Sequence, residues 1–242
     1  MGTRAWGTAA AAALLLAHGA AAGAARTPIL GTPDVPPQKA AAWAQLNGAT
    51  ARFVSLAPLY WEVAETRGVR PEVAYAQAAK ETNFGRFTGV LDASFHNPCG
   101  LKRTRGGSNR APAAHMRFRS WRDGVTAQVD HLALYAGAPG YPRAGSPDPR
   151  AFARLDGTAP TVERLGGKWA PSRGYGTSLA YFVRTLLELR PIHEPRSPGS
   201  LTLTSSAESS PTTAASSSAT ASRSRSSRAA SRRSSSGSAR RR

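Results

Sequence analysis

One cysteine, Cys99, stands among 242 residues. That excludes an intrachain disulfide and a zinc cluster built on thiolates, and leaves Cys99 to read as a small buried hydrophobe. A nucleophilic thiol paired with His96 or His115 has no supporting motif. Acidic residues are scarce as well: 14 Asp and Glu stand against 32 Lys and Arg, a net charge of +18. Between Asp92 and Asp123 there is no carboxylate at all, while Lys102, Arg103, Arg105, Arg110, Arg117, Arg119 and Arg122 fall in that stretch. Long apolar runs are missing too. Ala9–Leu16 is too short to span a bilayer and no later run is longer, so no membrane span is expected. From Pro195 onward large apolar residues nearly vanish into Ser, Ala, Thr and Arg. Such a segment cannot bury enough surface to fold, and residues 195–242 are expected to be disordered.

What remains divides readily. Arg4, the Ala9–Leu16 run and the small residues of Ala20–Ala25 fit a signal peptide over residues 1–25. The expectation is a secreted or envelope protein whose mature form starts near Arg26. Residues 26–42, with several prolines, read as a linker. Residues 43–190 carry helical periodicity broken by one irregular stretch. Trp43 to Glu65 reads as helix kinked or restarted at Pro58. Ser120–Asp123 is a capping signal that opens a helix to Tyr135. Asp148–Pro149 reads as the N-cap and first position of a short helix through Leu155, Pro160–Leu165 as another, and Ser178–Leu189 as the last. Phe84–Phe118, rich in Gly, Pro, Asn and basic residues, reads as a loop and a small irregular β-hairpin turning at Gly106–Asn109. The fold class is mostly α (α+β).

The most informative stretch is Ala74–Gly85. Pro71 suits a first helical position, and Val73, Ala74, Gln77, Ala78 and Glu81 share adjoining faces. Thr82, Asn83 and Gly85 end the helix at or just after Glu81. There the helix dipole and apolar surroundings both favour the protonated carboxyl, the form a general acid needs. The bland alternative is a solvated glutamate.

Four segments then occur in order: Tyr75–Gly85 (YAQAAKETNFG), Asn97–Lys102 (NPCGLK), Phe118–Leu134 (FRSWRDGVTAQVDHLAL) and Trp169–Tyr175 (WAPSRGY). Together they resemble the glucosaminidase family of bacterial cell-wall hydrolases (mannosyl-glycoprotein endo-β-N-acetylglucosaminidase-like), over about Tyr60 to Leu189. The resemblance implies a lysozyme-like helical domain with a groove against a β-lobe, and Glu81 as its catalytic residue. It also implies an exported hydrolase that cuts the N-acetylglucosaminyl β-1,4 bond of peptidoglycan. Tyr175 and Trp169 match the family's late aromatic positions, Trp replacing a Tyr, and are candidate substrate-binding residues. Asn97, Gly100 and Lys102 would line the groove, Phe84 would pack beneath it, His115 would be structural or bind substrate, and His131 structural or solvated.

This sequence departs from the family where some members carry a lobe carboxylate. Asp92 is the nearest candidate for a second catalytic group, and Tyr175 or Asp92 would position a water. The preferred reading is that the substrate's acetamido group assists. No cofactor or metal is expected. The partner is the peptidoglycan glycan strand, with anionic wall polymers held by the basic tail. No specific nucleic acid is expected, since the tail offers no aromatic residues for stacking, and the chain should be a monomer. The alternatives are a lytic transglycosylase of lysozyme-like fold and a non-catalytic wall-binding module.

Overall fold

The computed structural model describes residues 26–192, and the expectations for the signal peptide and the Ser/Arg-rich tail lie outside them. The described chain is mostly helical. Its elements are α1 (Pro37–Leu46), α2 (Ala51–Ser55), α3 (Ala57–Glu65), α4 (Pro71–Thr82), α5 (Trp121–Ala136) and α6 (Tyr175–Leu187). Short 3-10 turns sit at Ala93–Phe95, Pro112–Ala114, Ala153–Leu155 and Val162–Leu165. No described helix is long and apolar enough to cross a membrane.

α4 is the central helix. Pro71 opens it, and every residue from Pro71 to Ala79 is buried. Ala74, Ala76, Ala78 and Ala79 keep its surface thin, so α1, α3, α5 and α6 all pack against it. Tyr75 is the hub of an aromatic core. Its ring stacks on Phe53 at 4.7 Å and meets Tyr60 at 5.3 Å, Trp61 at 6.2 Å and Trp43 at 6.4 Å. Burial of each such side chain stabilises by roughly 1.5–3 kcal/mol, and the ring pairs add to that.

The long first helix expected from Trp43 to Glu65 is three helices. Asn47 closes α1, its side-chain amide donating to the Trp43 carbonyl, and Thr50 caps α2 by accepting from the Phe53 N–H. Pro58 restarts the chain within the first turn of α3. Residues 26–42, expected as a linker, belong to the folded body. Ile29 is fully buried, isolated bridges pair Pro28 with Thr161 and Leu30 with Val69, and α1 starts inside the segment. The physical reason lies in α4: buried Glu72 accepts hydrogen bonds from the Asp34 and Val35 N–H groups, and Arg70 pairs with Asp34.

α5 begins where the capping signal placed it, with Ser120 Oγ accepting from the Asp123 N–H. Gly124 is required one residue later, because a Cβ there would stand 1.8 Å from the His96 carbonyl oxygen. The irregular lobe before α5 holds no described strand. A single antiparallel bridge joins Lys102 and His115, with Met116 N–H donating to Leu101 O and Arg103 N–H to Ala114 O. The helix expected from Asp148 is only a 3-10 turn at Ala153–Leu155. Asp148 spends its carboxylate elsewhere, on the Arg150 N–H and on His131. The segment Pro160–Leu165 is likewise only 3-10, over Val162–Leu165, and α6 starts three residues before Ser178.

Candidate active site

α4 ends one residue after Glu81, and the ending is built firmly. Asn83, Phe84 and Gly85 all take positive φ, at 49°, 57° and 79°. Such a conformation is costly for a bulky residue and persists only where the surroundings hold it. Here Phe84 is pinned between Trp43 at 5.1 Å and Phe182 at 6.0 Å, and its N–H reaches the Ala79 carbonyl at 2.7 Å. Thr82 Oγ1 donates to Ala78 O and accepts from the Gly85 N–H. A Cβ on Gly85 would meet Thr50 Oγ1 at 2.6 Å and Phe53 Cβ at 2.7 Å, so this position admits only glycine.

This mount delivers Glu81 to the wall of a cavity of about 780 Å³. Gly100, Lys102, His131, Arg150 and Trp169 are among the other residues on its walls. Glu81 is open to solvent on the cavity side and crowded by protein on the others. Restricted hydration pushes its carboxyl above the ordinary range. Hydrogen bonds from Tyr175 and Trp169 and the nearby Lys80 charge pull it partly back. Among the described residues no other carboxylate lines this cavity.

The Tyr175 hydroxyl donates to Glu81 Oε1 at 2.5 Å. It is the last link of a buried chain of hydrogen bonds. Tyr60 Oη donates to Gln128 Oε1 at 2.6 Å, and Gln128 Nε2 donates to Ala74 O and to Gln77 Oε1, both at 2.9 Å. Gln77 Nε2 then donates to Tyr175 Oη at 3.0 Å. Because Tyr175 Oη accepts from Gln77, its own proton is directed at Glu81. Lys80 braces the same junction, donating to Ser178 Oγ at 2.9 Å and lying 5.6 Å over the Tyr175 ring.

The structure distributes the other expected residues unevenly. Trp169 is half-buried on the cavity wall, hydrogen-bonded to Glu81 and packed on His131 at 5.1 Å and Tyr135 at 6.0 Å. Gly100 and Lys102 line the cavity. Tyr175 is a buried partner of Glu81 and is not among the lining residues. Asn97 is also buried away from it. Its amide holds the lobe together, donating to Leu101 O and Met116 O and accepting from the Leu101 N–H. Asp92 is exposed, caps the 3-10 turn at Ala93–Phe95 and is absent from the cavity lining. Its bonds from Ser94, together with Arg117, hold its carboxyl below the ordinary range. Cys99 contributes to the cavity wall and packs among Leu101, Phe118 and Ala127. Burial first, and then the Glu81 charge, push its thiol up, away from the thiolate that a nucleophile needs.

Other cavity residues escaped the sequence reading. His131 is a wall residue, its Nδ1 2.7 Å from Asp148 Oδ2. Arg150, Arg154 and Lys168 join Lys102 in making the walls basic. Gln77 and Gln128 were legible only as polar residues on faces that are otherwise apolar.

An uncharacterised protein of Borreliella burgdorferi is 30% identical over 134 residues, which is 55% of this chain and 63% of that protein. The chain thus spans less than two thirds of the length of this relative. The catalytic domain of the autolysin Auto from Listeria monocytogenes overlaps 61% of this chain and 87% of its own, with 17% identity. Its TM-score of 0.37 is too loose to transfer any residue. Residues 57–186, from the start of α3 into the last turn of α6, match the family model of mannosyl-glycoprotein endo-β-N-acetylglucosaminidase; the chain belongs to this glucosaminidase family.

Proposed function

We propose that this protein is an exported peptidoglycan hydrolase that cleaves the N-acetylglucosaminyl β-1,4 bond with Glu81 as its general acid. The observation that carries the reading is Glu81 itself. It is a carboxyl with a raised pKa on the wall of a large cavity, oriented through Oε1 by Tyr175. Family membership supplies the reaction class, glycoside hydrolysis.

In the proposed reaction Oε1 is occupied by the Tyr175 donor, so Oε2 carries the acid proton. Oε2 gives that proton to the glycosidic oxygen as the C1–O bond breaks. The 2-acetamido oxygen of the same sugar closes onto C1, forming an oxazolinium ion in place of an enzyme ester. Water then adds at C1 as the oxazolinium C1–O bond breaks and the acetamide is restored, the water's proton returning to Glu81. This route is preferred because the cavity wall, among the described residues, offers no second carboxylate for the usual scheme. Trp169 supplies a half-buried ring for the apolar face of a sugar.

The deciding experiment is mass spectrometry of fragments released from purified peptidoglycan by the full chain and by Glu81→Gln. Reducing-end N-acetylglucosamine, lost in the variant, is the expected result. Anhydro-muramyl ends would replace the reading with a lytic transglycosylase. Binding without fragments from either protein would make the chain a wall-binding module.

A further inference from the structure

The cavity is far more basic than glycan chemistry requires. Lys102, Arg150, Arg154 and Lys168 lie on its walls, against Glu81 as the sole described carboxylate there. A sugar chain is uncharged, and a neutral ligand gains little from four cations. Two of the four are held in an arrangement that looks built. The Arg150 and Arg154 guanidinium carbons lie 5.0 Å and 4.4 Å from the centre of one ring, that of Phe152. Neither has a carboxylate partner among the described residues. Stacking on an aromatic face fixes a guanidinium while leaving its edge donors free.

Arg150 is anchored further. Its backbone N–H donates to Asp148 Oδ1 at 2.8 Å, Asp148 Oδ2 meets His131, and the adjoining Pro149 carbonyl accepts from Thr104 Oγ1. The Arg150 side chain also reaches the Arg103 carbonyl at 3.4 Å. The loop, α5 and the irregular lobe thus converge on one residue. Lys102 and Lys168 differ, since their ammonium groups are already engaged with the Gly107 and Thr158 carbonyls.

We propose that Arg150 and Arg154 form an anion subsite for the carboxylates of the peptide stem carried by the substrate's muramyl sugars. This rests on the peptidoglycan reading above. The planar guanidinium fork matches a carboxylate in two-point contact. The stem is attached to the sugar next to the bond being cut, so its acidic groups travel into the cavity with the glycan. Phosphate-bearing wall polymers present a related anion, and a wall stripped of them separates the two sources.

The test compares the full chain with Arg150→Gln/Arg154→Gln and Arg150→Lys/Arg154→Lys on three walls. One is native peptidoglycan, one has its carboxylates converted to amides by carbodiimide and ammonia, and one is stripped of phosphate polymers by acid. Both wall release and binding are measured, the latter in the Glu81→Gln background. The Gln pair should lose about tenfold in kcat/KM and in binding on native and phosphate-stripped walls. On the amidated wall it should match the unmodified chain. The Lys pair should recover part of the loss, which a folding defect would not allow. An equal loss on all three walls, no loss on the native wall, or a loss abolished by phosphate stripping overturns the assignment. If no fragments appear with any wall, the hydrolase reading fails, and the binding series still decides the anion subsite.

Discussion

Tyr175→Phe isolates the hydrogen bond that orients the proposed acid. The substitution keeps the ring that Lys80 covers and removes only the donor to Glu81 Oε1 and the acceptor for Gln77. A hydrogen bond to a charged group contributes roughly 1.5–3 kcal/mol, and the lower end applies because Glu81 keeps a solvent-open side. At 1.36 kcal/mol per unit of pKa, losing it favours the protonated form by about one pH unit. A general acid works only while protonated, so its activity falls as pH rises through its pKa. Losing a donor that favoured the carboxylate therefore moves the basic limb of the kcat/KM profile upward by about one pH unit. The plateau rate should drop, since Oε1 is no longer held. Stability should fall by roughly 1–2 kcal/mol because buried Gln77 Nε2 is left without its acceptor. The assay is the pH dependence of wall solubilisation. A basic limb that stays in place, or moves to lower pH, would refute the role given to this contact.

Three further outcomes follow from other contacts. Glu81→Gln should be more stable than the parent at pH 8 and indistinguishable at about pH 4. A carboxyl whose folded pKa is raised loses stability as pH climbs from its unfolded value through its folded one; urea unfolding at both pH values checks this. Gly85→Ala should lose roughly 2–4 kcal/mol, from backbone strain at φ +79° and contact with Thr50 and Phe53, read in the same unfolding experiment. Asp92→Asn should leave kcat/KM on peptidoglycan unchanged, whereas a drop of a hundredfold would restore Asp92 as a second catalytic group.

The parts of this molecule written in local sequence are the parts that were legible. Glu81 followed from a helix whose stop residues, Asn83 and Gly85, are adjacent to it, and Ser120 announced α5 through its own side chain. What was missed depends on partners far along the chain. Residues 26–42 have the composition of a linker, and partners far along the chain recruit them into the fold, among them Glu72 and Arg70 nearly forty residues on and Thr161 beyond those. Asp148–Pro149 carries a helix-start signal, but His131 on α5 claims the aspartate, which turns the loop instead and presents Arg150 to the cavity. Asn97 looked like a ligand-binding residue because its motif sits at the lobe entrance. It is buried because three backbone groups of the lobe need it. Tyr175 was read in sequence as a substrate-binding residue; its place beside Glu81, away from the cavity surface, goes with its bond to Gln77.

The buried line from Tyr60 through Gln128 and Gln77 to Tyr175 has a consequence for traffic of protons. Two of its four members are carboxamides, which donate and accept in fixed places and do not pass a proton along. The line is therefore an insulator: it sets the direction of the final hydroxyl and conducts nothing. Every proton that Glu81 loses must be replaced from the open side, through water or substrate. Access to fresh water on the cavity face, and not supply from the protein interior, then governs how soon the proposed acid is ready for its next bond.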